Sequence, residues 1–362
     1  MKQNLSLRLF ALLFFLSCEF IFAQDHYYLE ARGHYGFIIP HSPRIEHLAV
    51  AHTKGFQLDY GKQTTGKIRW HENYNYPKTG FSLVYLDFGN PDVLGTGICI
   101  LPYIDLPLVR NDKFLFSLRL AEGLGYTTKK FEVDENHKNT AIGSKLNACI
   151  QIFFQTSYKI SRSTDFKLSL GLTHFSNGSY STPNIGINNA SLSSGIVFYF
   201  DTTHSAPLKK VLPPPDKKIQ YEIIAAAGAK EVYPAGGKKY FAWTFSAGAF
   251  RPMSNKYRLG IGTDLLYDLS LTELLSRHEN YSPEISDRFR TGIYFSNELI
   301  FGRLITILQM GVYVYYPYKD DGNVYHRIGF KYLCSKHVFV NITLRTHYAK
   351  ADNGEWGMGY RF

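Results

Sequence analysis

His174 and Ser176 stand two positions apart near the end of the run 168–177, LSLGLTHFSN. Side chains alternate across a β-strand, so this spacing predicts that both lie on one face of a strand. The earlier positions of that face, from 166 to 172, are all Phe or Leu. An imidazole beside a hydroxyl is suited to acyl transfer, with the imidazole as base and the hydroxyl as nucleophile. Such a pair is also common at an ordinary solvated strand end.

A third polar group is expected on the same face. Segment 177–187 is rich in Gly, Ser, Asn and Pro, which predicts a hairpin loop between two strands. The parity of the following strand places Asn188 on the side of His174 and Ser176. An amide oxygen there can accept the imidazole N–H and orient the ring. The three side chains therefore form a candidate catalytic site.

The strands that carry these residues recur along the whole chain. Runs with period-two alternation are separated by Gly, Asn, Asp and Pro turns, and about sixteen can be recognised. The chain contains 27 Tyr and 27 Phe, and 16% of all residues are aromatic. A transmembrane barrel accounts for this load, because apolar side chains face lipid and aromatic girdles mark both interfaces. We therefore predict an all-β, transmembrane antiparallel β-barrel.

The N-terminus indicates export. Residues 1–23 have the layout of a signal peptide, with Lys2 and Arg8 preceding the apolar run Leu9–Leu16. That run is too short for a spanning helix. A lipoprotein acceptor at Cys18 is the rival interpretation, but the apolar stretch continues beyond that residue.

The C-terminal strand indicates the destination. Large apolar residues alternate with polar or small ones over 354–362, and the chain ends in Phe362. This pattern resembles the C-terminal strand of outer-membrane proteins, whose final Phe is read by the insertion machinery. We therefore expect the outer membrane of a Gram-negative bacterium, with membrane lipid and the barrel-assembly machinery as partners.

A Pro- and Lys-rich segment, 204–218, divides the mature chain into the halves 24–203 and 219–362. It is either a connection within one barrel of about 14–16 strands or a linker between two smaller eight-stranded barrels. We expect one barrel, because a single insertion strand and closed edges are most simply satisfied in that way.

Composition excludes several other classes. Of the four cysteines, those expected to remain after export form an odd, widely spaced set, Cys99, Cys149 and Cys334, so neither a disulfide framework nor a zinc site is predicted. The net charge of +10 is better explained by attraction to anionic lipid than by nucleic acid, since no aromatic-basic binding module is present. No metal, cofactor or nucleic-acid partner is expected.

The motif region resembles a known family. His174-Phe175-Ser176-Asn177, followed by the run 183–188, PNIGIN, is similar to the lipid A 3-O-deacylases, the PagL-like acyloxyacyl hydrolases. The resemblance covers about residues 26–202, and the second half is an extension beyond it. It implies an outer-membrane ester hydrolase that removes an ester-linked acyl chain from lipid A of lipopolysaccharide. His174 is then the base and Ser176 the nucleophile.

The resemblance also suggests supporting residues. Asn177, Gly178 and Asn184 are implied for oxyanion or substrate binding, although residue type alone favours a loop-shaping role for Asn184 and is compatible with a plain turn at Asn177. Segment 139–147 also looks like a patterned segment of the family. Four lysines flank the polar loop that leads into this segment, either as contacts for lipid A phosphates or as solvated side chains: Lys129, Lys130, Lys138 and Lys145.

One position departs from the family. An acidic residue is expected twelve positions beyond the serine, where this chain has Asn188. Glu122 falls on the apolar face of its strand and is the next candidate acid, but it is expected two strands away. The departure leaves open a weak or inactive barrel that serves as a porin or surface protein. A second site at His347 is rejected, because strand parity directs that side chain to the lumen.

Overall fold

The computed structural model describes residues 26–201, 214–279, 281–348 and 350–362. Its sixteen strands pair antiparallel throughout and form two closed barrels. The first barrel comprises β1 (His26–Ile38), β2 (Thr53–Gln63), β3 (Lys78–Asp87), β4 (Thr96–Arg110), β5 (Phe114–Thr127), β6 (Leu146–Lys159), β7 (Thr164–Ser176) and β8 (Ile187–Tyr199). The second comprises β9 (Gln220–Glu231), β10 (Lys239–Pro252), β11 (Tyr257–Asp268), β12 (Phe289–Phe301), β13 (Leu304–Tyr315), β14 (Val324–Leu333), β15 (Val338–His347) and β16 (Lys350–Arg361).

The preference for one barrel was wrong, and the alternative of two eight-stranded barrels is confirmed. β1 pairs with β8, and β9 pairs with β16, so each half closes on itself. Closure of eight strands removes every exposed edge, so two small barrels satisfy the membrane constraint as fully as one large barrel. The predicted signal peptide and most of the linker 204–218 lie outside the described residues.

Helices are short and confined to the connections. The α-helices are α1 (Arg69–Asn73) and α2 (Ser270–Leu275), and the 3₁₀ helices are Pro43–Leu48 and Ile285–Arg288. Among the described residues, no helix has the length and apolarity needed to cross a membrane.

The alternation read from the sequence separates the two sides of each wall. In β7, Leu168 and Leu170 are exposed on the outside, whereas Lys167 and Ser169 are buried in the lumen. The same pattern holds in the second barrel, where Trp356 of β16 is exposed and its neighbour Glu355 is buried. The outer walls are therefore apolar and the lumens polar, as the transmembrane prediction requires.

Ion pairs fill the lumen of the first barrel. Arg119 donates to Asp59 and Asp105, each at 2.6 Å. Lys167 pairs with Glu30 at 2.6 Å. These charges are almost completely removed from solvent, so each needs its partner.

The second barrel has a comparable interior. Arg258 pairs with Glu222 at 2.7 Å and with Glu298 at 2.5 Å, while Lys331 bridges the same two carboxylates. Arg258 and Lys331 are 0% exposed, as is Arg119 in the first barrel. A water-filled pore would leave such side chains accessible. This close packing argues against the porin alternative, because an open channel requires the wider lumen of one large barrel.

A candidate active site at the rim of the first barrel

Strand register brings His174 and Asn188 together. His174 in β7 lies directly opposite Asn188 in β8 and opposite Ile150 in β6. Ser176, two positions further along β7, lies opposite the exposed Ala148 and so shares the outer face. The structure therefore places the three residues as strand parity predicted. Ser176 is only 9% exposed, because the loop between β7 and β8 folds over it.

A chain of hydrogen bonds leads away from the imidazole of His174. Its Nδ1 lies 2.5 Å from Asn188 Oδ1. Asn188 Nδ2 lies 3.0 Å from His41 Nδ1, and His41 Nε2 lies 3.2 Å from the carbonyl of Ile185. Sequence reasoning missed His41, because this residue belongs to the β1–β2 connection, far from His174 in the chain.

These contacts determine which nitrogen carries each proton. The Ile185 carbonyl can only accept, so His41 Nε2 is protonated and His41 Nδ1 accepts from the Asn188 amide. The amide oxygen then faces His174 and accepts its Nδ1–H, which leaves Nε2 of His174 with a free lone pair. A neutral imidazole in this tautomer is the form that a general base requires.

A competing contact of His41 does not alter this assignment. His41 Nδ1 also lies 3.2 Å from the carbonyl of Ile39. That carbonyl already accepts the backbone N–H of His41 at 2.9 Å. It is therefore satisfied without the ring, whereas the Asn188 amide needs His41 as its acceptor.

Ser176 is held by two groups that can donate hydrogen bonds. Asn184 Nδ2 lies 3.0 Å from the serine Oγ, and the Gly178 N–H lies 3.3 Å from it. The Asn177 N–H donates to Asn184 Oδ1 at 2.9 Å and thereby fixes the orientation of that amide. Among the described residues no hydrogen bond joins Ser176 to His174; the serine hydroxyl instead donates to Asn184 Oδ1 at 3.3 Å, and this contact must break before the proton can move to the imidazole.

The side chain of Asn177 has a different role from that of Asn184. Its Nδ2 donates to Ser144 Oγ at 2.9 Å and to the Ser181 carbonyl at 3.0 Å, and its Oδ1 accepts the Ser181 N–H at 3.2 Å. Every polar group of this side chain is thus engaged in shaping the loop. Ser144 comes from the patterned segment 139–147, which the fold brings against the site.

Gly186 makes room for the imidazole. Its φ is +89°, and a Cβ at this position would lie 2.7 Å from His174 Cε1. The glycine therefore permits both the turn into β8 and the close packing of the loop on the ring. Gly186 therefore shapes the loop and also allows the loop to contact the ring of His174.

The remaining candidates lie away from the site. Glu122 is exposed on the outer face of β5, opposite Ile150, which separates it from His174. At one strand spacing per step, it stands roughly 10 Å from the β7 backbone. His347 is buried in the second lumen, where its Nε2 lies 2.8 Å from the Tyr313 hydroxyl, as parity predicted.

A group with ligand-like geometry, Asp321, His347 and Asp352, occurs in the second barrel. Arg290 pairs with Asp321 at 2.7 Å, and Arg345 pairs with Asp352 at 2.8 Å. The cations already neutralise these carboxylates, so the group is explained as part of the lumen network.

Similarity to solved structures is weak, as two of them illustrate. Neisserial surface protein A (NspA) is 11% identical, with 48% of this chain and 97% of that chain covered and a TM-score of 0.34. A mutant of Rh. blastica porin is 10% identical, with 93% and 100% covered and a TM-score of 0.18. The chain has no significant match among curated proteins.

Closed barrels with apolar walls and polar interiors define a β-barrel membrane protein. Residues 54–197 match the family described as lipid A 3-O-deacylase (PagL), and residues 219–362 match the acyloxyacyl hydrolase C-terminal domain. The chain belongs to the PagL family and is an ester hydrolase of the outer membrane. The family assignment is confirmed, and it extends to the second half of the chain.

Adding a methyl group at Gly186 should disturb the imidazole. Gly186→Ala introduces a Cβ against His174 at a backbone conformation that alanine rarely adopts. We expect ester hydrolysis to fall by about tenfold or more, since small misplacements of reacting groups are costly. Rates should be measured on purified, folded protein. Gly33→Ala is the control, because nothing lies within 4 Å of its added Cβ. Equal rates for the two variants would contradict the role given to Gly186.

Proposed function

We propose that this protein deacylates lipid A through a serine-histidine mechanism, with Asn188 in place of the usual acid. The observation that carries the proposal is the hydrogen-bond chain from His174 through Asn188 to His41. It leaves a free imidazole nitrogen on the outer wall, two residues from a serine hydroxyl. Membership of the lipid A 3-O-deacylase family supports the substrate class.

The proposed reaction has two stages. Ser176 Oγ attacks the acyl ester carbonyl as His174 Nε2 takes its proton, and the Gly178 N–H and Asn184 Nδ2 stabilise the oxyanion. As the intermediate collapses, the bond to the sugar oxygen breaks and the protonated imidazole donates its proton to that oxygen, leaving an acyl-serine and a free sugar hydroxyl. His174 next activates a water molecule, which attacks that ester and releases the fatty acid. Ser176 regains its proton at the end of the cycle.

The amide of Asn188 supplies orientation without charge. A carboxylate would both fix the ring and stabilise the imidazolium that forms during attack, whereas an amide does only the first. An amide can present either its oxygen or its nitrogen to the imidazole, whereas a carboxylate presents an oxygen in both orientations. His41 removes this ambiguity for Asn188. By accepting from Nδ2, His41 keeps the oxygen directed at His174.

The position of the site agrees with a lipid substrate. Its outer face is continuous with the apolar wall formed by Leu168 and Leu170, along which acyl chains can lie. The rim also carries the long β5–β6 connection, and bacterial barrels place their longer loops at the cell surface. Lys129, Lys138 and Lys145 are exposed in that connection and remain candidates for lipid A phosphates.

Removing the nucleophile or the base should abolish acyl release. Ser176→Ala and His174→Ala should each reduce lipid A deacylation by about 10³-fold or more, while the barrels still assemble. Mass spectrometry of lipid A incubated with each purified variant gives the measurement. Ser194→Ala, on the exposed outer face of β8, is the matched control and should retain parental activity. Full deacylation by Ser176→Ala would exclude this serine as the nucleophile.

Substitutions at Asn188 test the orienting group. Asn188→Ala should lower activity, whereas Asn188→Asp and Asn188→Glu should preserve or raise it, because a carboxylate also stabilises the imidazolium. Glu has the reach expected of the family residue. If the Ala and Glu variants both match the parent across a pH series, Asn188 does not support the base. Glu122→Gln then tests the next acid.

A double-mutant comparison tests whether His41 acts through Asn188. His41→Phe should lower the activity of the parent, because the Asn188 amide loses the acceptor that fixes its orientation. In the Asn188→Glu background the same change should have a much smaller effect, since a carboxylate needs no such partner. An equal loss in both backgrounds would mean that His41 acts independently of Asn188.

A further inference from the structure

The loop that covers Ser176 is hydrogen-bonded to the second barrel. The Glu231 N–H donates to the Ser179 carbonyl at 2.8 Å. Ser179 Oγ donates to the Ala351 carbonyl at 2.6 Å, and Thr182 Oγ1 donates to Glu231 Oε1 at 2.8 Å. The loop between β7 and β8 thus has partners at the end of β9 and the start of β16.

Lys239 completes this contact from β10. Its Nζ pairs with Glu231 and donates to the Tyr180 carbonyl at 2.6 Å and to Ser181 Oγ at 2.9 Å. Glu231 is only 4% exposed, so its carboxylate depends on these donors for compensation. Two charged residues of the second barrel therefore hold residues 179–182 of the first.

The clamped residues connect directly to the groups around Ser176. The backbone of Ser181 both donates to and accepts from the Asn177 side chain, at 3.2 and 3.0 Å. The Asn177 N–H in turn fixes the Asn184 amide that contacts the serine. An unbroken series of hydrogen bonds therefore connects the second barrel to Ser176.

Gly178 provides a second, shorter connection. This residue has φ +63°, and a Cβ built on it would lie 3.3 Å from Leu344 Cδ1 and 3.6 Å from the Gly354 nitrogen. The glycine thus packs against β15 and β16 while its N–H points at Ser176 Oγ. One of the two candidate oxyanion donors is in contact with the second barrel itself.

We propose that the second barrel is a positioning domain for the ester-hydrolase site, with Glu231 and Lys239 as its positioning residues. They hold the β7–β8 loop so that the Gly178 N–H and the Asn184 amide face the reacting carbonyl. This inference rests on the proposed function. It gives the second barrel a part in catalysis although its interior is closed and neither residue touches the reacting atoms.

The test compares lysine variants of the full-length protein in detergent-lipid micelles with purified lipid A. Lys239→Met should lower kcat by about tenfold with little change in KM, because donors for the transition state are misplaced while substrate binding is kept. Lys239→Arg should restore kcat to within about twofold of the parent, since its charge and donors remain. Lys238→Met is the matched control, being adjacent and away from the loop, and should behave as the parent.

A second variant and a chemical labelling assay distinguish a loss of positioning from simple misfolding. Thr182→Val removes the side-chain hydrogen bond from the loop to Glu231 without altering Lys239 and should also lower kcat. The rate of Ser176 labelling by a long-chain fluorophosphonate should fall in parallel, and the mobility of unheated protein in gel electrophoresis reports barrel closure. Folded Lys239→Met and Thr182→Val with parental kcat and labelling would overturn the inference. An inactive, unlabelled parent would instead overturn the proposed function.

Discussion

The structure depends on one constraint, the absence of water in the bilayer. Every backbone N–H and C=O at membrane depth must bond within the protein, and a closed antiparallel barrel achieves this. The pleat then gives each strand one apolar face for lipid and one polar face for the lumen. A polar side chain on the outer face is unfavourable unless it has partners. His174 and Asn188 satisfy that condition through each other and through His41.

The same constraint explains why the site lies at a rim. At the end of β7, the loop 177–186 can supply N–H and amide donors that a regular strand has already committed to its neighbours. In the proposed reaction, acyl chains approach along the apolar wall, while the ester reaches the donors at the edge of the wall. The candidate site thus has polar groups a few residues away from a lipid-facing surface.

Much of this organisation was predictable from local pattern. Alternation along β7 and β8 is a strong signal, because one residue of slip would reverse every side chain, and it placed His174, Ser176 and Asn188 on one face. The same parity directed His347 inward. The family motif supplied the chemistry that the spacing alone left open.

Other features could not be read from local pattern. One barrel and two barrels have the same number of strands and the same alternation along each strand. They differ only in which strands pair with β1 and β9 to close the sheet. His41 lies in a loop without periodicity, so nothing in the sequence indicated its contact with Asn188. The engagement of Asn177 by Ser144 and Ser181 likewise depends on how distant loops meet.

The proposed mechanism requires that Ser176 is a nucleophile activated by the neutral imidazole of His174. The most direct measurement is peptide mapping by mass spectrometry after reaction of the folded protein with a long-chain fluorophosphonate. We expect one phosphonyl adduct on Ser176 in the parent protein, with labelling strongly reduced in His174→Ala. An adduct on a different residue, or active protein that loses no activity while Ser176 is fully labelled, would contradict it.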